Sequence, residues 1–133
     1  MRNVFHINNI HEIPSFCPPL HTKTADRKFI DEEMGAQQLA IWHGEMEPGG
    51  VAEEHVHEVM EQAFYILEGQ ALFRLGEDEH KLEKGHLAFV PINQPHVLAS
   101  VGDTTLKYLV IMAPPPSLIG AWQKKKNRQR QSD

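Results

Sequence analysis

Turn signals recur along this chain at a spacing that leaves room only for short elements. Pro48-Gly49-Gly50, Glu68-Gly69, Leu75-Gly76-Glu77-Asp78, Lys84-Gly85, Asn93-Gln94-Pro95 and Val101-Gly102-Asp103 all combine residues that favour tight turns. Between them lie apolar and aromatic stretches at 38–42, 63–67, 71–75, 87–90, 96–101 and 106–112. Short strands at this interval, with few helix caps and no sustained helical period, predict an all-β sandwich or barrel. Strand–helix–strand alternation is missing, which argues against a parallel α/β fold.

The ends read differently from the middle. Up to residue 25 the pattern is irregular, and Ser15-Phe16-Cys17-Pro18-Pro19 interrupts any continuous element. The expected organisation is an irregular or edge-strand segment over 1–25, a barrel over 26–116 and a basic, partly disordered tail over 117–133. Residues 26–35 read either as a short helix or as a strand and turn. Pro114, Pro115 and Pro116 end the last strand.

At 133 residues the chain suits one domain with a real core. It has no apolar run of the ~18–20 residues that a membrane span needs, and its first residues lack the pattern of a signal peptide. A single cysteine, Cys17, excludes a disulfide framework within the chain, and a cytoplasmic setting is expected. The formal charge is −5, but residues 124–133 hold five Lys or Arg and one Asp, so a +4 tail leaves −9 on the rest. An acidic body argues against nucleic acid as a partner.

Histidine is the compositional outlier, with nine residues. His55 and His57, two apart on a strand, point to one face and can share one ion. Glu61 and Gln62 follow with oxygen ligands, and His96 opens a later strand just after Asn93-Gln94-Pro95. Three imidazoles and one oxygen leave room on a metal for water or substrate. His6, His11, His21, His43 and His80 show no such pattern and are expected at the surface or in structural roles.

Together these residues resemble the two motifs of the cupin superfamily. In the first, Gly49, His55, His57 and the closing Gly69 match; in the second, Gly85, Pro91 and His96 match. Asn93 stands in place of the usual glycine, Ser100 in place of asparagine, and His86 where many cupins have aspartate. The resemblance implies a double-stranded β-helix, or jelly-roll barrel, carrying one divalent transition metal ion (Zn, Ni, Mn or Fe) on His55, His57, His96 and a fourth ligand. Spacing from Gly69 selects Gln62 for that place and spacing from His57 admits Glu61; cupins with this Glu-Gln pair favour Gln62. Glu61 is then expected to orient water or act as general base.

A neutral glutamine leaves the ion its full +2 charge, which favours Lewis-acid over redox chemistry. The expected function is a non-redox, metal-dependent isomerase, ring opener or lyase on a small oxygenated substrate such as a sugar acid or lactone. A cupin dioxygenase and a non-catalytic binding module are the alternatives. Phe64 and Ile66 share Gln62's face of their strand, while Phe73, Arg74, Phe89, Tyr108 and Met112 are candidates to line the barrel. Phe64, Arg74 and Tyr108 are the expected substrate contacts. A homodimer is expected, using the N-terminal segment and Trp122.

Overall fold

The computed structural model describes residues 7–116, so the basic tail, Trp122 and His6 lie outside the described residues. Eight strands follow in order: β1 His21–Ile30, β2 Ala40–His55, β3 Glu61–Glu68, β4 Gln70–Leu75, β5 Asp78–Glu83, β6 Leu87–Val90, β7 His96–Ser100 and β8 Leu106–Ala113. They form one antiparallel sheet in the order β5-β4-β7-β2-β8-β3-β6, with β1 added along β2, that curls into a nearly closed barrel. Five of the six apolar stretches are strands within two residues of their expected ends, and the sixth, 38–42, opens β2.

Strand β2 organises the barrel. Its first part pairs with β8, from Ala40↔Met112 to Met46↔Leu106. Its second part pairs with β7, from Val51↔Ala99 to His55↔His96. The turn expected at Pro48-Gly49-Gly50 is therefore a bend inside one long strand. Strand β1 stays paired on both sides of the bend and slips register between Thr22 and Thr24 to follow it. Gly49 supplies the left-handed backbone (φ +88°), and a Cβ on Gly50 would come within 2.8 Å of the Thr22 carbonyl.

Burial alternates as a pleated strand requires. Gln62, Phe64 and Ile66 of β3 point inward, as do Leu106, Tyr108, Val110 and Met112 of β8. These side chains, with Met46, Phe73, Val90 and Leu98, form the core within the barrel. Each fully buried aliphatic side chain there contributes roughly 1.5–3 kcal/mol through lost contact with water.

Residues 26–35 resolve as strand and turn: β1 runs on to Ile30, and a single 3-10 turn at Glu32–Met34 closes on Gly35. Strand β1 thus crosses the boundary expected at residue 25. Strand β5 had no apolar signature because only Leu82 of its six residues is buried.

Candidate metal centre

The bend in β2 and the pairing of β2 with β7 bring three imidazoles together. His55 ends β2, His57 follows it, and His96 opens β7 opposite His55. Their candidate ligand nitrogens lie within 4.8 Å of one another. Ring centroids are 4.2 Å apart for His55–His96, 4.8 Å for His55–His57 and 5.3 Å for His57–His96.

Hydrogen bonds fix which nitrogen faces the centre. His55 Nδ1 donates to the Glu53 carbonyl at 2.7 Å, and His96 Nδ1 donates to the Gln94 carbonyl at 3.0 Å. A carbonyl can only accept, so both rings carry a proton on Nδ1, which leaves Nε2 as the nitrogen available to an ion. Burial, then the neighbouring His55 and His96, hold His57 down at about 4, although the Gln62 amide offsets part of that. Burial is also the main cause that brings His96 to about 4. Both rings are neutral at pH 7, the state a metal ligand needs.

The donors also lack other partners. His57 Nε2, His96 Nε2 and Gln62 Oε1 are buried without a hydrogen bond of regular geometry. An unmet buried acceptor costs roughly 1–3 kcal/mol, and a divalent ion held at the histidine cluster would satisfy these atoms. His55, His57, His96 and Gln62 are the residues that would hold it.

Strand parity separates the adjacent Glu61 and Gln62. Gln62 is 7% exposed and lines the cavity beside the histidines. Glu61 is exposed on the opposite face of β3, so the water-orienting or base role expected for it is corrected. Arg74 also points outward, where it pairs with Glu54 at 3.4 Å, and it does not line the cavity. Phe89 is exposed as well. Phe64 does line the cavity; its ring lies 6.2 Å from His96 and 6.1 Å from the buried Tyr108.

The cavity measures about 320 Å³, at the small end for ligand pockets. Its walls are mainly apolar, with Leu20, Trp42, Met60, Val110 and Met112 among them. Two polar residues there were missed in the sequence. His21, expected to be peripheral, lies 6.2 Å from His55, and Asp26 is 2% exposed. Both belong to β1, whose short polar alternation carries no motif.

The Cupin domain family model matches residues 42–112. An uncharacterized protein of Methanocaldococcus jannaschii is 35% identical over 63 residues, 47% of this chain and 50% of that protein. The tetracenomycin polyketide synthase protein TcmJ of Streptomyces glaucescens is 27% identical over 61% of this chain and 54% of its own. The chain thus matches about half the length of each of these two relatives. Among solved structures, the polyketide cyclase RemF from Streptomyces resistomycificus superposes with a TM-score of 0.73 at 25% identity, over 84% of this chain and 82% of that one. A predicted oxalate decarboxylase from Thermotoga maritima gives the same TM-score at 19% identity, over 80% and 97%, a likeness of fold alone. Among the described residues, no helix is long and apolar enough to cross a membrane.

Proposed function

This chain belongs to the cupin family, and we propose that it is a non-redox, metal-dependent enzyme acting on a small oxygenated substrate. The observation that carries this reading is the donor set itself. Three imidazoles and one neutral amide make up this set, with no carboxylate among them, and His55, His57 and Gln62 line the cavity. A divalent ion held there would keep its full charge and supply Lewis-acid polarisation of a carbonyl.

The cavity wall narrows the substrate class. A sugar acid carries a hydroxyl on most carbons; beyond the histidine cluster His21, Asp26 and Trp42 offer polar atoms, and Met60, Phe64, Val110 and Met112 offer none. A lactone or a 1,3-dicarbonyl presents one or two oxygens and otherwise apolar surface. The likeness to a polyketide cyclase and to a polyketide synthase protein supports the same preference for carbonyl-rich substrates. Phe64 packs the substrate against the histidines. We also propose that the protein works as a homodimer in the cytoplasm.

The test is metal content by mass spectrometry on protein purified without tag or chelator, followed by a turnover screen of lactones, 1,3-dicarbonyls and sugar acids. About one equivalent of zinc, nickel or manganese, with turnover independent of oxygen, supports the reading. Iron or copper with oxygen uptake replaces it with a dioxygenase. Failure to bind any of these ions overturns the ligand assignment.

A further inference from the structure

We propose that Asp26 is the proton-transfer group of this cavity, a carboxyl that takes a proton from the substrate and returns it, with Tyr108 as its positioning residue. The proposal rests on the enzymatic reading above for its substrate, and on a separate feature of the barrel for its residues.

That feature is a row across three strands. Asp26 of β1 pairs with Gly44 of β2, and Gly44 pairs with Tyr108 of β8. Residues in one row point to one face, here the interior, where Asp26 is 2% and Tyr108 1% exposed. The middle residue has no side chain, so the carboxyl and the phenol close over it. A Cβ at Gly44 would lie 2.8 Å from Asp26 Oδ1 and would collide with the Tyr108 ring. Asp26 reaches the cavity that His55, His57 and Gln62 also line. Asp26 Oδ1 and Tyr108 Oη are both buried without a hydrogen bond of regular geometry.

The Tyr108 hydroxyl is the group that reaches this carboxyl, and none of the ion pairs seen among the described residues involves it. From β2, the residues on its face are Trp42, Gly44 and Met46, none of them charged. From β8 the facing titratable group is Tyr108. Cys17, ahead of β1, acts on Tyr108. His21 and His55 share the cavity. Lys28, two residues along β1, sits over the rings of Phe16 and Trp42, 5.2 and 5.4 Å from their centroids. Arg27 and Glu45 pair with each other at 3.9 Å, and Lys107 pairs with Glu68 at 3.7 Å.

Burial pushes the Asp26 carboxyl up to about 7, with the nearby Tyr108 hydroxyl offsetting part of the rise. Tyr108 is itself raised well above its ordinary range, first by burial and then by the Asp26 charge, so it stays a neutral phenol. An acid that exchanges its proton near neutral pH suits general acid–base work. Ionised Asp26 takes a proton from a C–H beside the substrate carbonyl and becomes the neutral acid. The electron pair left behind delocalises into that carbonyl. The same carboxyl then returns the proton at another atom, so an isomerisation or ring closure proceeds with no net change in protons.

Two readouts test this. Infrared titration of the metal-loaded protein follows the carboxylic C=O stretch that disappears in Asp26→Asn. Half-titration near pH 7, moving to higher pH in Tyr108→Phe, supports the assignment. A carboxyl that is fully ionised at pH 5, or still protonated at pH 9, overturns it whatever the substrate screen gives. With any compound that turns over, Asp26→Asn should lower kcat by at least ~100-fold at unchanged metal content. Tyr108→Phe should shift the pH–rate profile upward in step with the infrared band. Full turnover by Asp26→Asn overturns the proposal. If no compound turns over while the carboxyl titrates near neutral, the functional reading fails and the proton-exchanging carboxyl stands.

Discussion

His55 and His96 face each other as register partners on adjacent strands, and both rings are anchored alike, Nδ1 to the carbonyl two residues earlier. The backbone of β2 and β7 therefore sets the direction of both Nε2 atoms before any ion arrives. His96→Ala should reduce zinc affinity by more than the ~10–100-fold typical of losing an outer-sphere partner, since it removes a proposed ligand outright. Calorimetric titration of the folded variant measures it. Wild-type affinity in His96→Ala would remove His96 from the ligand set.

Gln62→Glu tests the neutral charge of the proposed fourth donor. The carboxylate should bind zinc at least ~10-fold more tightly, because it adds a charge to a set that has none. It should also lower turnover, because the ion then carries less net charge with which to polarise a carbonyl. Tighter binding with undiminished turnover would break the link between the glutamine and Lewis acidity.

Gly44→Ala asks whether the middle of the Asp26–Gly44–Tyr108 row must stay empty. The added methyl meets the Tyr108 ring and Asp26 Oδ1, both on paired strands with little freedom to retreat. Overpacking of this kind costs about 1–3 kcal/mol. Denaturant unfolding should show a loss in that range or a failure to fold, and an unchanged midpoint would mean that the strands yield.

The proposed homodimer has a candidate face. Tyr65 pairs with Leu87, and Ala63 with Phe89, on the outer side of β3 and β6. Leu87 and Phe89 are 57% and 50% exposed, and β6 ends the strand path, leaving apolar surface beside an open edge. Light scattering should give a dimer mass for the wild type and a monomer mass for Leu87→Glu/Phe89→Glu. A monomeric wild type would refute the dimer.

The barrel and its histidines were legible because both depend on short-range pattern. Turn residues mark strand ends, the two-residue spacing keeps His57 beside His55 where β2 ends, and period-two alternation aligns Gln62 with Phe64 and Ile66. Asp26 was not legible. Its neighbours along β1 give no warning, and its burial comes from Gly44 and Tyr108, 18 and 82 positions away in sequence. Arg74 and Phe89 failed for a related reason. They sit in strands whose inward phase is fixed by partners, and the phase falls on Phe73 and Ala88.

The same burial makes a prediction about stability and pH. Asp26 titrates at about 7 when folded and near its ordinary 3.8 when unfolded. Between those values the folded state holds a proton that the unfolded state has lost. Above pH 7 the folded protein must instead keep a buried charge. Either way the carboxyl destabilises the fold, by on the order of 4 kcal/mol once the pH exceeds 7, and the penalty shrinks as pH falls toward 4, where both states are protonated. Asp26→Asn removes the titration. Relative to wild type, it should therefore gain stability steadily as pH rises from 4 to 8 and level off above that. Urea unfolding of both proteins at pH 5, 6, 7 and 8 measures the difference. A difference independent of pH would mean that Asp26 titrates alike in the folded and unfolded chain.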